Sequence, residues 1–424
     1  MSTAPSPELA PGRPSGGAAA RAVLGAALGL VGSFPALFFS TLSVFLKPIA
    51  AEFGWGRAQA AGATVLSNLG IAVGALVVGR LIDRYGAHRV VPASAALMAV
   101  GMSAMGLLPN RPVAMAVLSF AIGLVGVGTT PLGYLTVLPR HFDKRLGLAF
   151  GLAMAGLGLG AVLMPMLAQK LIEAQGWRLA YLSLGGVAVT TAALAWLLLF
   201  TASGSRPTPA PAKSLDPTAE GLALSGALRE GRFWLLLVCV LAVSAAALGF
   251  SVHGVSIMTD RGLDAATAAR IAGLAAIGVM VGRLFGGALM DAVPARLVAG
   301  ASFALGGTGL WIFATDTTQG VVLLTAAAFL ASFAIGAEGD FMPLAVRRYF
   351  GLRAFGTIYG VLFFGYAFGG VLGPVLMGLA YDRTADYRTA LQVFAAICLA
   401  CSLAILLLGR YRYGAAPAPG SRRS

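Results

Sequence analysis

The sequence predicts an all-α membrane protein of twelve transmembrane helices in two pseudo-symmetric six-helix bundles. Three observations carry this. Of 424 residues, 58% are hydrophobic and only 11% are charged, where an ordinary soluble chain carries about 25% charged residues. The apolar residues gather into twelve runs, each near the roughly 20 residues a helix needs to cross a bilayer. The second half of the chain also repeats features of the first at an offset of about 208 residues.

Residues 1–21 are rich in Pro, Gly, Ala and Ser without an apolar stretch, and read as a disordered tail. The spans follow at 22–50, 60–82, 89–108, 112–138, 146–169, 178–201, 233–258, 268–292, 296–314, 319–345, 354–380 and 388–410. The segment 202–232, with Pro207, Pro209, Pro211 and Pro217, is a polar linker. It divides a first bundle, 22–201, from a second, 233–410, and 411–424 form a second tail. Lys and Arg concentrate on cytoplasmic loops of membrane proteins. With both termini inside, the inner segments hold twenty and the outer segments eight. This predicts an inner-membrane protein with cytoplasmic N- and C-termini. The net charge of +14 is spread over these loops, so it is not a nucleic-acid footprint.

The repeat is specific. Gly79-x-x-x-Asp83 after span two matches Gly287-x-x-x-Asp291 after span eight. Arg140-x-Phe142-x-x-Arg145 matches Arg348-x-Phe350-x-x-Arg353. Pro165 pairs with Pro374, and Trp177-Arg178 with Tyr387-Arg388. Duplicated six-helix units of this kind place a solute site near mid-membrane between the halves. The charges break the symmetry: Arg283 aligns with Ala75, and Glu338 and Asp340 align with Thr130 and Leu132. A cation at bilayer depth costs about 2.5–3.5 kcal/mol even on the lenient insertion scale. Arg283 must therefore face protein, water or an anion, either as a solute ligand or as half of a structural ion pair.

Chemistry of other kinds is not indicated. Cys398-x-x-Cys401 and Cys239 lie inside apolar spans without a nearby histidine, so they read as buried thiols rather than a redox or metal motif. No nucleotide loop, metal cluster or nucleophile–base pair is present. Neither an enzyme nor a cofactor is expected.

Two stretches carry a family resemblance. Gly79-Arg80-Leu81-Ile82-Asp83-Arg84-Tyr85-Gly86-Ala87-His88-Arg89 resembles the loop signature of the major facilitator superfamily, G-x-x-x-D-R-x-G-x-x-R. The segment from Arg140 and Phe142 through Arg145 to Gly156, together with Gly176-Trp177-Arg178 and Phe45-Leu46-Lys47-Pro48-Ile49, resembles signatures of the monocarboxylate transporter family. The resemblance implies the major facilitator fold. It implies that Asp83 meets the start of span eleven and that Arg84, with Arg89, Arg145 and Arg348, belongs to a cytoplasmic gate. It also implies that Arg283, on span eight, binds a substrate carboxylate. The chain departs from the animal members at Val279, where they have an acidic residue, and at Ser40, where they have a lysine.

The remaining polar span residues admit two readings each. Glu338 and Asp340 either pair with Arg347 and Arg348 as a gate or carry protons. His253 either contacts substrate or protons, or makes a polar contact between helices. Asn68, Tyr134, Tyr359 and Tyr366 are candidate cavity residues, and an aromatic stripe on span eleven serves helix packing or a ligand wall. The expectation is a monomeric secondary transporter for a small organic anion, a monocarboxylate by preference, moved by alternating access with protons. Proton-driven efflux of an apolar metabolite or drug is the alternative, and a non-transporting membrane sensor is the more distant one.

Overall fold

The computed structural model describes residues 16–55, 57–142, 145–200, 220–315 and 320–413. Among them ten helices are long and apolar enough to cross a membrane. One of the ten, Leu146–Phe200, is 55 residues long, twice a bilayer crossing. It breaks at Gly176, where φ is 78°, a left-handed conformation that glycine adopts without a Cβ penalty. That break separates spans five and six. Span three, the crossing outside those ten, is Ala87–Met105, whose His88, Arg89 and Pro92 lower its mean hydropathy.

Span two is Arg57–Tyr85, seven is Gly231–Asp260, eight is Ala265–Ala292 and nine is Ala295–Ala314. Span ten, Val321–Ala345, runs into a π-helical turn, Val346–Phe350. Eleven is Phe355–Thr384, and twelve is Arg388–Ala404 with a tighter final turn, Ile405–Leu408. The first helix starts at Gly16, so residues 16–21 extend span one where a tail was expected. Residues 1–15, most of the linker and residues 414–424 lie outside the described residues.

Spans one and four are interrupted at matching levels. Span one is Gly16–Val31, a π-helical turn Pro35–Phe39, then Leu42–Phe53. Span four is Pro112–Gly126 followed by short turns Val127–Thr129, Pro131–Tyr134 and Leu138–Arg140. A proline follows each break and cannot donate a backbone N–H. The breaks satisfy one another, because the Phe34 N–H donates to Thr129 Oγ1 at 2.9 Å. The three cysteines are free and buried.

The halves meet along two crossings, span two against span eleven and span five against span eight. Both are backbone-close at glycines. A Cβ on Gly79 would lie 2.3 Å from the Gly356 carbonyl oxygen, and one on Gly147 would lie 2.1 Å from that of Gly287. No larger residue fits either point without parting the helices. The end of the molecule holding the turns after spans two and eight is called the near end below.

Candidate transport site

At the near end each crossing is clasped by a carboxylate on a helix N-terminus. Asp83 closes span two. Its Oδ1 accepts from the Gly356 N–H at 2.8 Å, and its Oδ2 accepts from the Thr357 N–H and the Thr357 hydroxyl, both at 2.6 Å. Its repeat mate Asp291 does the same for span five, accepting from the N–H groups of Gly147 and Leu148 at 2.8 Å each. The first N–H groups of a helix lack intrahelical partners and carry the positive end of its dipole. A carboxylate therefore holds them better than a neutral acceptor. Sequence reasoning named Asp83 but passed over Asp291, although the Gly287-x-x-x-Asp291 repeat was the signal for it.

The gate arginines are dispersed. Arg84 is exposed, its guanidinium 5.2 Å from the Tyr85 ring centroid. Arg89 and Arg145 are exposed as well. Arg145 turns the chain into span five with φ of 60°, its carbonyl accepting from the Ala149 N–H. Arg348 is drawn to the C-terminal end: its carbonyl accepts from the N–H groups of Arg412 and Tyr413, and its guanidinium lies over the Tyr411 ring. Among the described residues, Arg140 lies in electrostatic range of Asp83. Three donors from span eleven hold the Asp83 oxygens, and the Arg84 guanidinium lies over the Tyr85 ring instead.

Two turns deeper on span eight, about 12 Å from the clasp at 1.5 Å per residue, stands Arg283. It is half-buried and reaches across to the other half, donating from Nη1 to the Met154 carbonyl of span five at 3.1 Å. Its Nε is buried with no hydrogen-bond partner. Asp340 of span ten and Tyr366 of span eleven lie in electrostatic range. Asp340 is fully buried and neither oxygen has a hydrogen-bond partner. Its Oδ2 occupies space left by two glycines of the second crossing: a Cβ on Gly151 would stand 3.4 Å away and one on Gly287 3.3 Å away.

Tyr359 and Tyr366 flank this pair. The rings of Tyr359 and Phe363 are 6.0 Å apart, and those of Phe363 and Tyr366 are 5.7 Å apart. The stripe read from the sequence is thus a continuous aromatic ladder. The Tyr359 hydroxyl is buried without a partner and faces Asp340 electrostatically.

Glu338 separates from Asp340. Two residues apart on a helix place side chains about 200° apart. Glu338 points into the C-terminal half, where Cys239, Cys398 and Cys401 are its electrostatic neighbours. It is fully buried and both oxygens lack hydrogen-bond partners. The pairing of Glu338 and Asp340 with Arg347 and Arg348 is therefore not formed, because those arginines sit beyond the end of span ten.

The other candidates serve packing in this conformation. Both ring nitrogens of His253 are engaged, Nδ1 with the Tyr387 hydroxyl and Nε2 with the Pro374 carbonyl, each at 3.1 Å. This joins span seven to span eleven at its proline. Tyr134 is buried against Gly29 of span one, where a Cβ would overlap its ring. Asn68 is half-buried and shares a helix face with Ala75 and Gly79, the face that meets span eleven.

The description "Major Facilitator Superfamily" attaches to a family model that matches residues 28–361 and 256–424. The chain belongs to the Major Facilitator Superfamily. It is 28% identical over 402 residues to monocarboxylate transporter 13 of Bos taurus, covering 92% of this chain and 87% of that one. It is also 28% identical over 404 residues to a gallate transporter of Pseudomonas putida, covering 86% and 87%. Its fold is similar to that of the Escherichia coli fucose:proton symporter FucP, with a TM-score of 0.68 and 16% identity, over 93% of this chain and 98% of that one. The protein is a multi-pass membrane transporter, not an enzyme, and its relatives include monocarboxylate transporters.

Proposed function

We propose that this protein is a secondary transporter for a small organic monocarboxylate, working by alternating access and coupled to protons. The observation that carries the reading is Arg283: a guanidinium between the halves, held by one carbonyl and with a buried Nε unmatched. A carboxylate engages such a fork through two parallel charge-assisted hydrogen bonds. Tyr366 and the aromatic ladder of span eleven then offer an apolar wall for the rest of the solute, the usual division of labour in a ligand site. Relatives named for monocarboxylates and for gallate, itself a carboxylate, support the same class.

Proton coupling follows from Asp340. As an anion it competes with a substrate carboxylate for Arg283. Protonated, it no longer does, so proton and substrate enter the site together. Val279 stands one turn before Arg283, and Asp340 lies in electrostatic range of Arg283 from span ten. Glu338, turned away from Arg283, is a second proton acceptor that senses the site only through Tyr366. The near-end clasps hold one face shut and release it when the halves rock. That face is cytoplasmic, with both termini on the same side, in the inner membrane, and the monomer is the working unit.

The test is uptake of labelled monocarboxylates into proteoliposomes, with and without an inward proton gradient. Gradient-stimulated uptake that disappears in Arg283→Ala is the expected result. No uptake of any acid by folded protein would sink the reading and favour efflux of a neutral or cationic solute.

A further inference from the structure

The outer surface of the N-terminal half carries a groove of about 470 Å³ between spans two, three and four. Its floor exists because spans two and four touch at backbone level: a Cβ on Gly74 would stand 2.4 Å from the Leu124 carbonyl oxygen. Span three stands off and forms the second wall. Val77, Leu81 and Leu97 line the groove and are 52%, 36% and 54% exposed. In a membrane protein that exposure faces acyl chains. From Gly74 to Tyr85 the groove follows span two for about 16 Å, enough for much of one chain.

The near end of the groove differs chemically. Tyr85 and Arg89 line it there, and the Arg84 guanidinium lies against the Tyr85 ring. Arg84 and Arg89 are both exposed. The adjacent acid, Asp83, binds the start of span eleven. His88 and Arg140 lie in electrostatic range of one another, and His88 of Arg89 as well, so the local field is positive. An apolar trough that ends in two exposed guanidiniums, with no ion pair to either among the described residues, is complementary to one kind of neighbour.

We propose that the groove holds an anionic phospholipid, one acyl chain along Val77, Leu81 and Leu97 and the phosphate between Arg84 and Arg89. Guanidinium groups bind phosphate oxygens bidentately, and each cation near an anionic leaflet contributes about fivefold in affinity. These are two of the arginines that the sequence assigns to the cytoplasmic gate. The bound lipid braces the turn after span two, directly behind the Asp83 clasp. The proposal does not depend on the substrate assignment.

Native mass spectrometry of the full-length protein, released from micelles and titrated with phosphatidylglycerol or with phosphatidylcholine of the same chains, tests it. Wild type retains phosphatidylglycerol over phosphatidylcholine. Arg84→Ala/Arg89→Ala falls to the phosphatidylcholine level, a loss of about 25-fold from two cations at fivefold each, while Arg84→Lys/Arg89→Lys keeps most of the preference. Leu97→Trp, which fills the trough with the arginines intact, lowers retention too, and it serves if the double alanine variant does not fold. Equal retention of the two lipids by wild type overturns the proposal. So does phosphatidylglycerol binding unchanged in both the alanine and the tryptophan variants. Displacement of phosphatidylglycerol by glycerol phosphate at equal concentration would show a headgroup-only site, which also overturns it.

Discussion

Where span two meets span eleven, Asp83 clasps the helix start and Gly360 packs so that a Cβ would lie 2.5 Å from the Ala75 carbonyl oxygen. Where span eight meets span five, Asp291 clasps the helix start and Gly151 packs so that a Cβ would lie 2.6 Å from the Arg283 carbonyl oxygen. The close backbone approaches recur at matching positions of the repeat. The side chains do not. The first crossing places a methyl where the second places a guanidinium, and Leu132 stands where the second half has Asp340. Both crossings keep the close glycine packing and the carboxylate clasp. The buried charges Arg283 and Asp340 stand at one crossing alone, the asymmetry on which the proposed solute site rests.

The largest test of that contrast is removal of the added cation. Arg283→Ala should cut substrate kcat/KM about a hundredfold, since a charged hydrogen-bond pair is worth up to about 3 kcal/mol, with near-wild-type expression and melting. Transport at full rate would reduce the second crossing to a copy of the first. Next, Asp340→Asn keeps the shape but cannot exchange a proton. Stimulation of uptake by an inward proton gradient should vanish, a loss of about tenfold at a gradient of one pH unit, while substrate counterflow persists. Retention of the gradient response would move the proton to another group, with Glu338 first in line.

The clasps offer a finer comparison. The native cysteines are buried, so a single cysteine introduced at the near end reports opening by maleimide labelling. Asp83→Asn should raise its labelling rate about tenfold, and Asp291→Asn about fivefold, because the first carboxylate holds three donors and the second two. The smallest effect comes from supplying the missing donor. Leu148→Thr copies Thr357 and should slow labelling by about threefold to fivefold, from one added hydrogen bond of about 1 kcal/mol. An increase in labelling would mean that the two clasps are not equivalent.

Much of the scaffold could be read from the sequence because lipid enforces it. Helices of bilayer length follow from satisfying every backbone polar group in lipid, glycine at the crossings from close helix approach, and a basic loop after span two from the charge bias of membrane loops. The interruptions were harder. Pro35 and Pro131 were visible, but their mutual repair through Phe34 and Thr129 joins residues far apart in the chain. Facing was harder still. Glu338 and Asp340 read alike as carboxylates on one span, and two residues of helix sent one towards Arg283 and the other into the cysteines. His253 has both nitrogens occupied by a proline carbonyl and a tyrosine on other spans, partners that spacing along the chain does not reveal. Arg84 and Arg89 sit in a loop signature, yet the Asp83 oxygens were taken by span eleven and the guanidiniums turned outward.

The central claim is that Arg283 holds the substrate carboxylate and Asp340 is the proton-bearing group that competes with it. Equilibrium binding of a labelled monocarboxylate to purified protein at pH 6 and pH 8 tests it most directly. Wild type should bind more tightly at pH 6, Arg283→Ala should bind about a hundredfold more weakly than wild type, and Asp340→Asn should bind alike at both. Binding by Arg283→Ala with unchanged affinity and pH dependence would contradict the claim.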